Sequence, residues 1–382
     1  MHRFNWIHYG MVVMALAASP LVAQSTGSTI DIHGFGGWAY GKTDGHKYSL
    51  GTEGGEYDNA EFALNVSAKP LEKLSVVAQL RLESGADQEQ AELDYAFAEW
   101  TFNDAARVRV GRVKHPFGIY GEVFDVGTVR PFYSLPQSLY GANGFTARAY
   151  NGAGITGNVS AGKWGVQYDV YGGQIEGDFE TPGLLSTSSK YFTEPSISFG
   201  YRVENAYGGR LNLTTPLEGL TVGTSAYSGQ AYTDLSNVDT DKRDVFAAHA
   251  EYARNRFAVR SEWGHLKNGS DFEVDAGYLE TSYRLTEHWQ VAARWDQIDV
   301  TLPGTNLSNL PAIFPQLLEH REAALGVSYW FSPNFVVRGS YQRTEGNRFA
   351  FPETSDEVKA ALSSGILDRS TDMILVGAQF SF

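Results

Sequence analysis

The chain has 382 residues, a formal net charge of −14 and no cysteine. The negative charge disfavours nucleic acid as a partner, and the lack of cysteine excludes disulfides and thiolate metal sites. The mean hydropathy is −0.28, and no apolar run reaches the length of about 20 residues that a spanning helix needs, which excludes a helical membrane bundle. The content of 41 glycines and 13% aromatic residues favours strands and turns.

Residues 1–23 have the features of a cleaved secretory signal. Arg3 makes the start positive, residues 11–18 are apolar, and small residues precede Gln24. The apolar stretch is too short to span a bilayer, and a segment of this kind is removed on export. The sequence therefore predicts an exported protein whose mature domain covers residues 24–382.

Two neighbouring segments alternate apolar and polar residues with the period of a β-strand. Residues 59–69 place Phe62 and Leu64 on one face with polar residues opposite, and residues 74–83 repeat the pattern. Because only residues 70–73 separate the two segments, they predict a hairpin. Further hairpins are predicted around residues 160–164, 215–220, 253–257, 285–289 and 331–335.

The connections at the other end of these hairpins are long, glycine-rich and polar. The chain contains about sixteen such strands of roughly ten residues each, and an even number of strands with short periplasmic turns and long extracellular loops is typical of a bacterial outer-membrane barrel. The sequence therefore predicts an all-β fold, a 16-stranded antiparallel transmembrane β-barrel. The long connections are residues 42–57, 114–150, 174–195, 231–243, 300–320 and 346–370.

Charged residues inside the predicted strands indicate which face is polar. Arg294 and Asp296 alternate with Trp295, and Arg338 alternates with Tyr341. A charged side chain that faces lipid at mid-bilayer costs about 2–4 kcal/mol, so these side chains should face a water-filled lumen. In the alternative, a soluble fold, they would lie on a solvated surface.

Aromatic residues cluster near the predicted short turns. Such rings favour the membrane–water interface, so they predict a girdle at the periplasmic end. The final strand, residues 373–382, alternates in the same way and ends on Phe382. It is expected to close the barrel against the first strand. The predicted girdle comprises Trp100, Phe102, Trp164, Tyr252, Phe257, Tyr283, Trp289, Phe331, Phe335, Phe380 and Phe382.

Residues 91–102 allow two registers. Either Leu93, Tyr95 and Phe97 face lipid, or the face that includes Trp100 and Phe102 does. The second register turns Glu99 into the lumen and is favoured, because a carboxylate in the apolar band is costly. A bulge would mix the two registers.

The connection 114–150 is the strongest candidate for a functional loop. Loops longer than about 15 residues are usually functional or disordered, and this one is rich in aromatic residues that need a surface on which to pack. In a barrel the available surface is the inner wall.

Over the whole mature chain the sequence resembles Gram-negative general porins. The stretch GRVKHPFG, residues 111–118, is similar to the K-x-P-F-G stretch of the branch that contains phosphate-selective porins, whereas Pro116-Phe117-Gly118 lacks the glutamate of the classical P-E-F-G-G stretch. The resemblance implies a trimeric barrel whose third external loop, here 114–150, folds inward to form a constriction.

General porins set acidic loop residues against basic wall residues. The resemblance implies that Glu122 and Asp125 face Arg81, Arg107 and Arg109, which would create a transverse field that orients polar solutes and selects ions. In the alternative, both carboxylates are solvated or pair with Arg130. The predicted constriction residues are Glu122, Asp125, Arg81, Arg107, Arg109, Glu99, Lys114 and Arg130. The other predicted lumen-lining residues are Arg260, Glu262, Arg294, Asp296, Arg338 and Gln342.

The sequence indicates no cofactor, metal site or catalytic centre. Asn237, Asp239 and Asp241 are spaced as in a calcium loop but lack the glycine and the terminal glutamate, so a solvated acidic loop is favoured. No spacing indicates a nucleophile with a positioned base, which disfavours an enzyme. The predicted partners are outer-membrane lipid and lipopolysaccharide.

The predicted function is a water-filled channel for passive diffusion of ions and small hydrophilic solutes, as a homotrimer in the outer membrane. The alternative is a substrate-specific channel for sugars or small anions. Tyr227 and Tyr278, both predicted to be lumenal, together with the tyrosines of the loop 114–150, keep the sugar alternative open.

Overall fold

The computed structural model describes residues 30–85, 88–142, 144–185, 192–233, 242–270, 272–302 and 314–382. Within these residues, sixteen strands form one closed antiparallel barrel, as the alternation predicts. The predicted signal, residues 1–23, lies outside the described residues. The barrel strands are β1 Ile30–Thr43, β3 Glu56–Leu71, β4 Leu74–Gly85, β5 Gln88–Asn103, β6 Ala106–Lys114, β7 Ala149–Ala161, β8 Trp164–Pro182, β9 Ser196–Thr214, β10 Leu220–Thr233, β11 Lys242–Arg254, β12 Phe257–Asn268, β13 Phe272–Arg284, β14 Trp289–Thr301, β15 Glu319–Ser332, β16 Phe335–Glu345 and β18 Ser370–Ser381.

The final strand closes the barrel, as predicted. β18 pairs with β16 on one side and with β1 on the other, in a register that runs from Phe35–Ser381 to Thr43–Met373. The backbone N–H of Phe382 donates to the carbonyl oxygen of Gly34 at 2.8 Å. Closure leaves the backbone groups of the first and last strands paired, which lipid requires.

The two faces of the strands separate as the sequence predicts. On β14, Arg294 and Asp296 are buried inside the barrel, whereas Trp295 is 47% exposed on the outside. On β15, Leu325 is 65% exposed on the outer face, with the buried Ala324 pointing inward. No helix among the described residues is long and apolar enough to cross a membrane.

The predicted aromatic girdle lies on the outer face beside the short turns. Phe331 at 59% and Trp164 at 47% are among the most exposed of these rings. Tyr329, Phe331 and Phe335 form a chain of ring contacts at 4.8 and 5.3 Å between centroids, next to the turn between β15 and β16. Phe382 stacks on Phe62 at 6.4 Å.

A bulge on β5 resolves the ambiguous register of residues 91–102. Gln79 pairs with Tyr95 but Leu80 pairs with Leu93, so Asp94 is the extra residue. Leu93 therefore faces outward at 51% exposure, while Asp94 is buried inside. Between the bulge and the short turn, Trp100 faces outward, as in the favoured register. On the other side of the bulge Leu93 faces outward, as in the alternative register.

The predicted loop 174–195 is too long. β8 and β9 continue to pair as far as Pro182 and Ser196, so the connection begins at residue 183. The strands extend because Ile175 and Val203, which oppose one another in the hairpin, are apolar and buried. A pair of β-branched residues stabilises the pairing of two strands. The strands β8 and β9 therefore extend further than the glycine and polar residues of this segment had indicated.

The outer loops pack on one another above the barrel. A two-stranded ribbon joins β2, Lys47–Tyr48, to β17, Ala350–Phe351. A helix, Ser355–Ser364, begins at the capping side chain of Thr354 and ends at Gly365, whose φ of 69° suits glycine. Its buried residues Val358 and Ala361 join a small apolar cluster with residues of two other loops, Leu184, Phe314 and Leu317. Short helical turns occur at Gly121–Val123, Gly127–Val129, Gln137–Tyr140, Gly183–Leu185 and Pro315–Leu318.

A charge on the outer face should distinguish a lipid-embedded wall from a solvated one. We expect Leu325→Arg to lower the free energy of unfolding in lipid vesicles by about 2–4 kcal/mol, because the site lies mid-strand, and Ser332→Arg at the exposed turn end of β15 by no more than about 1 kcal/mol. Urea titration of vesicle-embedded protein measures both values. Equal losses in the two variants would contradict the membrane position.

Candidate functional site

The loop between β6 and β7, residues 115–148, lies inside the barrel. Its backbone forms hydrogen bonds with inward-facing side chains on the wall from β10 round to β16. This placement agrees with the expectation that the aromatic loop packs on the inner wall. The bonds join Gly118 N–H to Ser225 at 3.0 Å, Ile119 N–H to Glu262 at 2.8 Å, Ser138 N–H to Asp296 at 3.1 Å, and the carbonyl oxygens of Ser134 and Gly127 to Arg294 at 2.9 Å and Arg338 at 3.0 Å.

Glycines of the inner wall make room for the rings of the loop. A methyl group on Gly326 would lie 2.8 Å from the ring of Phe132, closer than atoms can approach. Gly377 accommodates Tyr133 in the same way. Phe132 is also covered by the Arg294 guanidinium, 4.7 Å from the ring centroid. The glycines thus allow the loop to lie directly against the strands.

A buried carboxylate of β12 holds the middle of the loop. Glu262 accepts hydrogen bonds from the hydroxyls of Tyr140 at 2.6 Å and Tyr278 at 2.9 Å. Burial and the nearby Glu262 carboxylate raise the pKa of Tyr140 well above its usual value, so this hydroxyl remains a donor. Tyr120 similarly donates to Glu280 at 2.6 Å. Burying a carboxylate without such partners would be costly.

Asp125 is the centre of a charged cluster near the extracellular end, here called the upper cluster. Its carboxylate accepts from Lys114 at 2.5 Å and from Arg148, and it lies 3.3 Å from the amide nitrogen of Gln79 on β4. Burial opposes ionisation of Asp125, but Lys114 and Arg148 outweigh it and hold the pKa of this carboxyl below its usual value. Asp94, the bulge residue, lies 3.7 Å from Lys114.

The upper cluster continues onto β3 and β4. Arg81 is buried and pairs with Glu83 and Glu92. Arg130 donates to the carbonyl oxygen of Phe124 at 3.2 Å and lies 4.0 Å from Glu61. The loop therefore contacts the wall at β3 and β4 as well as the opposite wall. Among the described residues the carboxylate nearest to Arg130 is thus Glu61 of the wall, while its hydrogen bond remains within the loop.

Glu122 is the centre of a second group, here called the lower cluster. It pairs with Arg210 of β9 and lies 3.6 Å from Arg109 of β6. Arg109 in turn pairs with Glu99 at 2.7 Å, and Arg210 pairs with Asp169 at 2.9 Å. Burial opposes ionisation of Glu122, but the two arginines outweigh it and lower the pKa of its carboxyl. An acidic residue of the loop thus contacts basic residues of the wall.

The predicted wall residues differ in what they contact. Arg109 meets the loop directly, whereas Arg81 pairs with its own strand and with β5. The Nε atom of Arg107 is buried and has no hydrogen-bond partner among the described residues. Lys114 is buried and holds Asp125.

The six further residues predicted for the lumen all lie on the inner face. Arg294, Asp296 and Arg338 are covered by the loop, which they bind. Arg260 pairs with Glu251 and lies 3.7 Å from Glu280. Gln342 is buried and its amide nitrogen donates to Ser340 at 3.1 Å. Glu262 binds the loop through the N–H of Ile119 and the hydroxyl of Tyr140.

Several residues of the two clusters were not anticipated from the sequence. They are Glu61, Gln79, Asp94, Arg148, Asp169 and Arg210. Strand alternation placed Gln79 opposite the apolar face, but no local pattern showed that the loop would reach it. Asn237, Asp239 and Asp241 lie outside the described residues. Within the residues described, no group of three or more histidine, aspartate or glutamate side chains could hold a metal ion.

Comparison with known proteins identifies the family. The model of the family "Phosphate-selective porin O and P" matches residues 38–382. The chain belongs to this porin family. The match also bears out the local similarity of residues 111–118. Comparison with curated protein sequences found no match.

Solved structures show the same barrel in other outer-membrane proteins. The channel DcaP of Acinetobacter baumannii has a TM-score of 0.59 at 10% identity, covering 93% of this chain and 98% of that one. An anion-selective porin from Comamonas acidovorans has a TM-score of 0.56 at 13% identity, with 93% and 100% covered. OmpT of Vibrio cholerae, in a trimer form, has a TM-score of 0.54 at 11% identity, with 93% and 99% covered. At these identities the likeness concerns the fold alone.

Family and fold together establish the general function. The chain is an outer-membrane porin, a channel for passive diffusion of ions and small solutes.

Replacing Asp125 should loosen this porin's loop in a pH-dependent way. We expect Asp125→Asn to lower the free energy of unfolding at pH 7 by about 3 kcal/mol, because Lys114 and Arg148 lose their buried partner. Since the folded-state pKa of Asp125 lies below its unfolded value of about 3.9, this contribution is fully present above pH 3.9 and is lost as the pH falls toward the folded pKa.

Denaturant unfolding in detergent at neutral pH and near pH 3 measures the difference. Asp299→Asn, which removes one partner of a more exposed pair with Arg321, serves as the control and should cost less than about 1 kcal/mol. A loss for Asp125→Asn that is the same at both pH values would contradict the role of its charge.

Proposed function

We propose that residues 115–148 form the constriction of this porin, that the upper cluster positions this loop and that the lower cluster sets the ion selectivity. The observation that carries the proposal is contact of one loop with opposite walls. Glu262 of β12 accepts from the N–H of Ile119 in the loop at 2.8 Å, while Gln79 of β4, halfway round the sixteen-stranded barrel from β12, lies 3.3 Å from Asp125 of the loop. A loop held in this way crosses the lumen.

The clusters supply fixed charges of both signs beside the remaining passage. Glu122 and Arg109 keep 30% and 20% of their side chains exposed, whereas Asp125 is 5% exposed. Partly exposed charges act on passing ions, and low-dielectric walls strengthen their field. We therefore assign selectivity mainly to Glu122, Arg109 and Glu99, and positioning of the loop to Asp125, Lys114 and Arg130.

A general diffusion channel is favoured over a sugar-specific one. Tyr227 is buried and donates to the carbonyl oxygen of Gly144 in the loop at 3.0 Å, and Tyr278 donates to Glu262. The Tyr227 hydroxyl thus holds the loop and the Tyr278 hydroxyl holds a wall carboxylate, and both side chains are buried, so neither ring offers a free surface for a sugar. No chemistry beyond passage is proposed, because neither cluster sets a nucleophile beside a base.

Opposite substitutions in the lower cluster should shift selectivity in opposite directions. Glu122→Gln leaves Arg109 and Arg210 partly unpaired, so we expect a greater preference for anions. Arg109→Gln leaves Glu99 and Glu122 in excess, so we expect a greater preference for cations. The reversal potential under a salt gradient in a planar bilayer measures both. Shifts of the same sign, or none, would remove the cluster from the ion path.

We further propose export through residues 1–23 and assembly as a homotrimer in contact with lipid and lipopolysaccharide. The trimer form of the OmpT structure supports the assembly, and the exposed apolar belt supports the lipid contact. Chemical cross-linking of the purified porin should yield a species of three times the chain mass. A product that stops at one chain, with the barrel folded, would contradict the trimer.

A further inference from the structure

A cavity of about 480 Å³ lies on the extracellular side of the loop, between β5 and the β8–β9 hairpin. It exists because the sheet divides there. The pairing of β5 with β6 ends at Ala96 and Arg112, whereas β5 stays paired with β4 as far as Gln88. Phe124 and Tyr140 of the loop close its inner side.

The cavity is lined by charges of both signs in similar number. Four arginines belong to its lining, and each lies within ion-pair distance of a carboxylate: Arg81, Arg112, Arg148 and Arg202. The acids in the lining come from both sides of the cleft. They are Glu92 of β5 and Glu176 and Asp178 of β8.

Arg112 and Glu176 lie close together but form no direct hydrogen bond, and both side chains remain partly exposed. Their Nη1 and Oε2 atoms are 3.9 Å apart, which is attraction without a direct hydrogen bond. The side chains are 27% and 47% exposed. Arg112 is held in place because its Nε donates to the carbonyl oxygen of Asp94 at 2.8 Å. Asp178 follows Glu176 two residues along the same strand, so its side chain lies on the same face.

We propose that this cavity binds small zwitterionic solutes of the amino-acid class. The solute carboxylate would meet Arg112 and Arg148, and its ammonium group would meet Glu176 and Asp178. The inference rests on the proposed channel function and names the solute class that its entrance favours.

The balance of charge distinguishes a zwitterion from a simple anion. Phosphate approaching Arg112 also approaches Glu176, and like charges at close range repel. The other arginines of the lining are already paired, so phosphate must compete there with Glu92, Asp125 or Glu204. A zwitterion satisfies both signs at once and gains from the field between them. The cavity thus differs from a purely basic path.

Solute entry into liposomes containing the full-length porin tests the proposal. L-Glutamine and L-glutamate have nearly the same size and differ by one charge at pH 7. We expect glutamine to enter about two- to fivefold faster than glutamate, the range expected for partly exposed charge pairs. The double variant Glu176→Gln/Asp178→Asn should reduce glutamine entry by a similar factor.

The matched control is Glu273→Gln/Asp275→Asn, which removes two carboxylates of β13 that do not line the cavity. It should leave glutamine entry unchanged. Glutamate or inorganic phosphate entering as fast as glutamine would overturn the proposal, as would equal effects of the two double variants. If folded wild-type protein did not conduct potassium chloride at all, the result would instead overturn the channel function on which the proposal rests.

Discussion

The structure depends on one requirement, which is that every backbone polar group in the hydrocarbon layer must pair within the protein. A strand sheet meets it only when its two edges meet, and here they meet between β1 and β18. Once the barrel is closed, each side chain of a strand must face either the outside or the inside of the barrel. Side chains that alternate along each strand point either to lipid or to the lumen, so Trp295 and Leu325 lie outside while Arg294 and Glu322 lie inside. The terminal Phe382 follows from the same requirement, because the last strand must run to the edge of the first.

The polar inner wall makes the position of the loop possible. A long segment inside a barrel has backbone groups that water no longer fully satisfies, and the wall supplies partners for them. Arg294, Asp296 and Arg338 bind the backbone of the loop, and Glu262 binds the hydroxyl of its Tyr140 and the N–H of Ile119. The loop in turn removes these wall charges from water, and its polar groups are the hydrogen-bond partners that offset the cost of burying them.

The distribution of anchors makes the lumen asymmetric. On the side of β12 to β16 the loop lies directly on the wall, with glycines such as Gly326 beneath its rings. On the side of β4 to β9, charged side chains of both signs lie between loop and wall. The family name refers to phosphate, but the arginines of this entrance each have a carboxylate nearby. The fold is shared across the family, whereas specificity depends on the local side chains.

The sequence by itself determined the class of fold, the strand count, the two faces of each strand and the aromatic girdle. These features depend on a period of two residues and on the preference of rings for the interface, which are local properties. The sequence also indicated that the loop 114–150 carries the function. Its resemblance to general porins implied that Glu122 and Asp125 lie near Arg109. Only the tertiary structure decided which of these charges hold the loop and which remain accessible. Asp125 contacts Arg148, Lys114 and Gln79, and Glu122 contacts Arg210, because barrel closure brings strands far apart in sequence to one face. The β5 bulge and the extension of β8 also depend on partners across the sheet, since the register of a strand is determined by the side chains on the strands beside it.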